Sequence, residues 1–241
     1  MHYLALSVLS FFLVTDTLGQ TARSDSSFLA LAQNRTIQLY KGSLTENMLL
    51  YNGNEHIPHD RRIKIHPYFA TDSLQLGSLS YNGIDHQNVM MQYDIVRDEL
   101  AIRLSESVFR IRPHSERISS FAFRNYQFVR LVADSAAGVS TGFYQVLHNG
   151  PVKFLAKRKK TVQDDLSQRV YQGNYLVRDR YFIFKDGAYH EVKSKRSVFA
   201  LFPDQSATLR KYLRSTKIKF NQQREEAITA IVQQYEKLTP Y

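Results

Sequence analysis

The chain of 241 residues contains no cysteine and no tryptophan. Without cysteine the protein can form no disulfide bond, no thiolate metal site, no thiol nucleophile and no lipid anchor on a lipobox cysteine. A protein without these supports depends on its hydrophobic core, and a chain of this length can build one sizeable domain. The lack of cysteine therefore excludes disulfide scaffolds and every cysteine-dependent enzyme class.

Long hydrophobic runs are also missing, because no segment beyond the first twenty residues is apolar enough to cross a membrane as a helix. The one marked run, residues 4–14, is too short to span a bilayer and is followed by the small residues Thr17 and Gly19. This pattern predicts a secretory signal peptide over residues 1–19, with cleavage after Gly19. We therefore expect an exported protein, periplasmic or extracellular, without a transmembrane helix in the mature chain.

The composition favours a folded β protein with an excess of positive charge. Hydrophobic residues make up 43% of the chain and charged residues 22%, which is typical of globular proteins. Tyrosine and phenylalanine, at 15 each, are residues that strands prefer. The formal net charge is +10 and the isoelectric point about 9.7, so the expected partner is anionic.

Residues 77–104 predict a three-stranded antiparallel meander. Asn82-Gly83 is a two-residue hairpin signal, because both central positions of a type I′ turn need positive φ. Val89, Met91 and Tyr93 then alternate with polar residues, which is the period of a strand. A second reversal at residues 97–99 leads into another alternating segment.

The same turn chemistry recurs at Tyr51-Asn52-Gly53, Arg124-Asn125, Asn149-Gly150 and Asp186-Gly187, each beside aromatic or β-branched residues. Short strands joined by local turns indicate an antiparallel sheet rather than βαβ units. We therefore predict a mainly β fold, an antiparallel meander arranged as a sandwich or a curled half-barrel, over residues 20–200.

The pattern changes to helical after about residue 200. Asp204 is a candidate N-cap for a first helix, with Leu209 and Leu213 on one face. Asn221 is a candidate cap for a second helix, whose apolar stripe consists of Ala227, Ile228, Ile231, Val232, Tyr235 and Leu238. Residues 201–241 are thus predicted to form two C-terminal α-helices packed on the β domain.

The segment His56–His66 holds the residue types that bind metals, namely His56, His59, Asp60 and His66. Its spacing is not that of a zinc-protease helix, because Pro58 interrupts it and no glutamate follows the first histidine. The alternative is a polar loop that the sequence His-Pro-Tyr-Phe at residues 66–69 anchors in the core. We therefore predict neither a metal nor another cofactor.

No convincing catalytic set is present. Ser140 fits the Gly-x-Ser-x-Gly spacing, but a nucleophile elbow needs a strand before it and a helix after it, and here a strand follows. The adjacent acids Asp164 and Asp165 lie in a polar segment. We therefore predict no catalytic residue; a hydrolase that uses Ser140 or His66 in another arrangement is the remaining enzymatic alternative.

Basic residues cluster at the ends of the later strands. The candidate anion-binding residues are Lys157, Arg158, Lys159, Lys160, Lys193, Lys195 and Arg196. Five further cations follow in the C-terminal element: Arg210, Lys211, Arg214, Lys217 and Lys219. They would form an anion-binding surface if the fold brings them together, whereas the alternative is a set of solvated strand edges.

A string of short motifs runs through residues 37–238: YNG-x-[ED]-H, HPYF, GSLSYNG, NVMMQYDI, FVRL, GFYQVL, LAKRKK, KDG-x-Y, and the closing LFPD and REEA. In these motifs the chain resembles a group of exported, functionally uncharacterised proteins of Gram-negative bacteria. The resemblance implies export and a prokaryotic source, and it implies no activity or binding residue.

Together these observations predict an exported, non-enzymatic envelope protein that binds a ligand or partner, with an anionic glycan, a lipid or an envelope protein as the candidates. Export argues against nucleic acid. The alternative is a structural or assembly protein that docks through its C-terminal helices.

Overall fold

The computed structural model describes residue 33 and residues 50–104, 107–133, 138–165 and 172–239. Within these ranges the chain is mainly β, as the sequence predicts, and every named element lies in the unit formed by residues 47–241. The predicted signal peptide, residues 1–19, lies outside the described residues.

Fourteen strands are present in the described ranges. They are β1 (Asn54–Glu55), β2 (Ile63–Lys64), β3 (Gln75–Tyr81), β4 (Ile84–Asp94), β5 (Glu99–Arg103), β6 (Arg110–Arg112), β7 (Ile118–Phe123), β8 (Tyr126–Leu131), β9 (Gly142–Asn149), β10 (Lys153–Lys157), β11 (Lys160–Asp165), β12 (Gln172–Val177), β13 (Arg180–Lys185) and β14 (Ala188–Glu191).

Eleven of these strands form one open antiparallel sheet, in the order β1-β6-β5-β4-β3-β7-β8-β9-β10-β13-β14. Most neighbours in the sheet are also neighbours in sequence, so the predicted meander is confirmed. The other three form a small sheet in the order β11-β12-β2, in which β2 runs parallel to β12. The small sheet thus joins β2, near residue 63, to the β11–β12 strand pair that follows β10.

The predicted hairpin turns have the backbone geometry that their residues favour. Asn82 and Gly83 have φ values of 52° and 78°, and Asp186 and Gly187 have 52° and 80°. Two successive positive φ angles are the mark of a type I′ turn, which matches the twist of the flanking strands. Each turn therefore fixes the register of its hairpin.

The Tyr51-Asn52-Gly53 signal does not form a hairpin between described strands. β1, which follows it, pairs with β6 through Asn54 and Arg112. A Cβ atom at Gly53 would collide with the carbonyl oxygen of Arg112. Glycine is therefore needed at position 53 for the close approach of two backbones and not for a turn, which is why the motif misled the sequence prediction.

One core lies against β3, β4, β5, β7, β8 and β9 and is dominated by aromatic rings. Tyr93 lies edge-on to Phe121, Phe128 and Phe143, with ring centroids 5.0 to 5.9 Å apart. Such tilted pairs contribute about 0.5–1.5 kcal/mol each beyond the area that they bury. The abundance of phenylalanine and tyrosine in the sequence is thus used mainly inside the sheet.

Three helices follow the last strand: α1 (Lys195–Ala200), α2 (Ser206–Ser215) and α3 (Arg224–Leu238). The sequence predicts α2 and α3 but not α1, a six-residue helix that starts with a capping box between Ser194 and Ser197. The predicted caps are wrong by a few residues. Asp204 lies in the 3₁₀ turn before α2, and α3 begins after Gln223.

The helices cover the sheet at β9, β10 and β13. Phe154 and Ile183 of the sheet form one buried cluster with Phe199 of α1 and with Ile228 and Ile231 of α3. The C-terminal helices are therefore part of the core, as expected from the apolar stripe of α3. None of the helices in the described ranges combines the length and the apolar character needed to cross a membrane.

Candidate functional site

The net charge of the chain lies wholly in its C-terminal part. Residues 153–241 contain 19 basic and nine acidic side chains, which gives +10, whereas residues 1–152 contain 13 of each, which gives zero. Such an asymmetry indicates interaction with an anionic partner. All the candidate anion-binding residues belong to this charged part.

Lys157, at the end of β10, points into the protein. Its Nζ lies 2.5 Å from Asp98 Oδ2 and 4.9 Å from the centroid of the Tyr144 ring. The Tyr93 hydroxyl donates to the other Asp98 oxygen at 2.6 Å. Burial lowers the pKa of Lys157, and the Asp98 carboxylate offsets this only in part. Gly142 leaves room for the pair, because a side chain there would collide with both partners.

Arg158 is buried and bound on every side of its guanidinium. Nη1 donates to Asp179 and to Glu225, both at 2.6 Å, and Nη2 donates to the second Glu225 oxygen at 3.0 Å. Nε donates to Gln145 at 2.7 Å, and the group lies 5.6 Å from the Phe69 ring centroid. Burial alone would lower the pKa of Arg158, but the two carboxylates raise it overall. Arg158 therefore joins α3 to the sheet.

Lys160 is the third inward-facing cation of the run. Its Nζ donates to the carbonyl oxygens of His66 at 2.7 Å and Tyr68 at 2.9 Å, and burial lowers its pKa. Lys159 is exposed, and its backbone N–H donates to Asp179. Three of the four cations in the run are thus engaged inside the protein, and Lys159 is the member that faces solvent.

The second group of candidates, Lys193, Lys195 and Arg196, is exposed. Lys193 Nζ lies 3.6 Å from a Glu191 oxygen, a contact that solvent weakens. Lys195 and Arg196 open α1 and make no ion pair within the described ranges. These cations remain available to an external anion.

A larger group of free cations lies on α2 and directly after it. From Gln205 to Gln223 the sequence contains five basic and no acidic residues. All five are exposed, and none forms an ion pair with a described residue. We call these five, together with two from α1, the basic surface: Lys195, Arg196, Arg210, Lys211, Arg214, Lys217 and Lys219.

The packing of α2 fixes which way its cations point. Leu209 and Leu213 are buried in the cluster with Phe199, so the opposite side of the helix faces solvent. Arg210 lies over the Phe199 ring, with its guanidinium carbon 4.3 Å from the centroid. Since α1 and α2 are in contact there, their cations belong to one region of the surface.

The segment His56–His66 forms a polar cluster around Tyr68. His56 Nε2 lies 3.2 Å from the Tyr68 hydroxyl, and the His66 ring stacks on the Tyr68 ring. His56 is 4% exposed, and its Nδ1 atom has no hydrogen-bond partner in the described part of the chain. Burial lowers the pKa of His56 to about 4, so the imidazole is neutral at physiological pH.

His59 links the two sheets. Its Nε2 atom lies 2.5 Å from Asp94 Oδ2, and its Nδ1 atom lies 3.0 Å from the Tyr175 hydroxyl. Asp94 is fully buried and also accepts from the backbone N–H groups of Val96 and Arg97. A carboxylate, an imidazole and a phenol in line can pass a proton. Both nitrogens of His59 are already engaged, however, so the arrangement holds the small sheet on the large one.

Sequence reasoning missed this contact because its members are far apart in the chain. Asp94 and Tyr175 are 35 and 116 residues from His59. The only sequence signal was the density of histidines. Across the described ranges, no three histidine or acidic side chains are placed so that they could hold a metal ion.

Ser140 lies directly before β9 in an exposed loop. Its Oγ atom is 3.2 Å from the Tyr144 hydroxyl, which itself donates to the Ser140 carbonyl at 2.8 Å. No histidine contacts the serine among the described residues. The local order, a loop followed by a strand, is the one that argues against a nucleophile elbow. The side chains of the acid pair Asp164 and Asp165 lie outside the described residues.

Two adjoining polar cavities lie near the sheet edge formed by β1. The first measures about 340 Å³ and is lined by His56, Arg97, Glu99 and Arg112, among others. The second, about 240 Å³, shares Glu99 and Arg112 with it. These two side chains already pair with each other at 2.7 Å. The cavities therefore contain matched charges and show no preference for an anion.

The chain matched no protein-family model, no curated protein and no solved structure in the comparisons. Its function is therefore argued from the geometry of its own residues.

Proposed function

We propose that this protein is an exported, non-enzymatic binding protein that holds an anionic partner on its basic surface. The observation that carries the proposal is the run of five exposed cations from Arg210 to Lys219, which no acidic residue interrupts. Exposed like charges that form no ion pair with a described residue repel one another. An external anion removes that repulsion, which gives the surface a driving force for binding.

The buried cations of the C-terminal part support the proposal that the partner binds at the basic surface. Lys157, Arg158 and Lys160 point inward and are satisfied by acceptors of the protein. Their charges therefore contribute little to a contact with an external partner. The positive field that a partner meets comes from the basic surface, with Lys159 and Lys193 as further exposed cations.

Salt-dependent retention on immobilised dextran sulfate tests the proposal. The basic-surface variant carries Lys211→Gln, Arg214→Gln and Lys219→Gln. A matched control carries Arg61→Gln, Arg103→Gln and Arg117→Gln, three exposed cations of the neutral part of the chain. Both variants lose three charges, so a generic effect of net charge lowers their elution salt equally.

We expect the basic-surface variant to elute at a clearly lower salt concentration than the control, because only it loses cations that act together. Equal elution of the two variants would show that retention follows net charge alone, and the proposed surface would then be wrong. Circular dichroism and thermal unfolding of both variants establish that each one is folded.

Export remains part of the proposal and is supported by the apolar run and the small residues before position 20. The test is the N-terminal sequence of the protein recovered from the periplasm or medium, which should begin at Gln20. Recovery of the chain only from the cytoplasm would contradict it.

The alternative function is that of an assembly protein that docks through its C-terminal helices. The fold supports it less. The stripe of α3 at Ala227, Ile228, Ile231 and Val232 is buried in the core. A partner would therefore have to contact the polar outer sides of the helices. Deleting residues 221–241 should unfold the chain and not merely release a partner.

A further inference from the structure

We infer that the partner of the basic surface is a linear acidic polysaccharide, which lies along α2 and the segment that follows it. This inference rests on the proposed function and names the chemistry of its partner. The residues that would contact the chain are Arg210, Lys211, Arg214, Lys217 and Lys219, which we call the basic track.

The cations of the basic track lie close together on and directly after α2. Arg210 and Arg214 are four residues apart, so they lie on the same flank of α2 about one turn from each other. Lys211 lies beside them, within a sector of about 100° around the helix axis. Lys217 and Lys219 extend the series just past the C-terminal end of the helix. Arg210, Lys211 and Arg214 therefore lie within about 6 Å along the helix axis, and Lys217 and Lys219 follow within four residues of its last residue, Ser215.

A row of charges suits a polymer with one acidic group on each successive unit. Five cations within ten residues exceed what a single small anion can neutralise, and they can contact several charged units of a chain. No acidic side chain occurs from Gln205 to Gln223, so this segment itself presents no repulsive charge to an acidic chain.

The apolar side chains near the track favour a glycan over a lipid surface. From Lys195 to Lys237, no large apolar side chain of the described structure is exposed. A peripheral helix on a bilayer binds by inserting apolar area as well as by charge. The apolar side of α2 is already used in the core through Leu209 and Leu213. A lipid surface would therefore gain nothing but the charge contacts.

The burial of the aromatic side chains near the track favours a glycan over a single-stranded nucleic acid. Such nucleic acids are held by aromatic rings on which the bases stack. The aromatic side chains near the basic track are partly or fully buried, for example Phe199, Tyr212 and Phe220. A polysaccharide needs no stacking platform, since its acidic groups and hydroxyls bind through charge and hydrogen bonds.

The experiment is a length series of oligogalacturonates, which carry one carboxylate per sugar, titrated against the full chain at low salt. We expect affinity to rise at least tenfold from the disaccharide to about the hexasaccharide and then to level off, because the track is then covered. The basic-surface variant (K211Q, R214Q, K219Q) should bind the hexasaccharide at least tenfold more weakly, and the control variant (R61Q, R103Q, R117Q) should bind it like the wild type.

Parallel titrations use vesicles that contain anionic phospholipid, and duplex DNA. Binding that is independent of oligosaccharide length, or tighter binding to vesicles or to DNA, would overturn the glycan inference. The proposed function would survive that result, provided that the basic-surface variant still elutes early from dextran sulfate. If it elutes with the control variant instead, the proposed function fails together with the inference.

Discussion

Two groups of cations in the C-terminal part of the chain differ in burial and in ion pairing. Lys157, Arg158 and Lys160 are buried and face acceptors of the protein, whereas Lys211 and Arg214 are exposed and form no ion pair with a described residue. In the sequence the first group has the more conspicuous pattern, four basic residues in a row. A basic run can therefore serve as an anion-binding site only where acidic groups of the protein do not already neutralise its charges.

The difference has an energetic cause. Burying a cation costs several kcal/mol unless acceptors replace the lost water, as two carboxylates and an amide do around Arg158. A cation on a helix surface keeps its water and pays little. The buried group should therefore control stability, and the exposed group should control binding.

The largest loss of stability is expected when the Arg158 guanidinium, which joins α3 to the sheet, is removed. Arg158→Ala leaves Glu225 and Asp179 as half-buried charges without their partner. We expect the free energy of unfolding to fall by about 3–5 kcal/mol. Urea unfolding measures this change. Arg214→Ala serves as the exposed control and should stay within about 0.5 kcal/mol of the wild type. Similar losses for the two variants would remove the distinction between the groups.

The second largest effect on stability is expected at Lys157, in comparison with Lys159 two residues later. Lys157→Gln leaves Asp98 without its ammonium partner, and we expect a loss of about 1–3 kcal/mol in the free energy of unfolding. Lys159→Gln changes an exposed side chain and should have an effect within about 0.5 kcal/mol. The two variants differ equally from the wild type in charge, so thermal and urea unfolding report the effect of position. An equal effect would contradict the inward placement of Lys157.

The third effect is a pH dependence of stability that comes from the buried His56. The pKa of His56 is about 4 in the folded protein and about 6.5 for an unperturbed histidine; burial is the main cause, and Arg97, His59 and Arg110 act with it against Asp94. Between these values the unfolded chain binds a proton and the folded chain does not, so stability falls as pH decreases from 6.5 to 4.

The variant His56→Gln tests this dependence. Its stability should fall less steeply than that of the wild type between pH 6.5 and 4, as measured by urea unfolding at each pH. Carboxylates contribute to both proteins, so the difference between the two curves isolates the histidine. Identical slopes would mean that His56 is not buried in its neutral form.

The smallest effect on stability is expected for the basic surface. The variant with Lys211→Gln, Arg214→Gln and Lys219→Gln should unfold within about 1 kcal/mol of the wild type, because these side chains are exposed and lack ion-pair partners among the described residues. Its retention on dextran sulfate should nevertheless change most. A large loss of stability without a change in retention would reverse the roles of the two groups.

Much of the fold could be predicted from local patterns. Alternation identified the β3–β4–β5 meander, and Asn82-Gly83 and Asp186-Gly187 identified the turns of two hairpins, β3–β4 and β13–β14, because side-chain period and positive φ are local properties. α1 was missed, since six residues give too little periodicity. The motif at Gly53 was misread because its glycine serves a contact with Arg112, which is distant in sequence.

Less of the site could be predicted. The sequence identified the basic residues of α2 and the histidine-rich segment, but not that His59 meets Asp94 and Tyr175. The acidic partners of the basic run were not predicted either. Asp98 is 59 residues from Lys157, and Glu225 is 67 residues from Arg158, so their pairing depends on strand order and helix docking.

The sequence by itself determined the strand-rich architecture, the apolar stripe of α3, the exclusion of cysteine chemistry and the total charge of +10. These follow from residue types and from periods of two and 3.6 residues, which act over a few neighbours. Only the tertiary structure decided which cations are compensated. That outcome depends on the burial of each side chain and on carboxylates that approach from distant strands and from α3, and it leaves the cations of α2 without an ion-pair partner among the described residues.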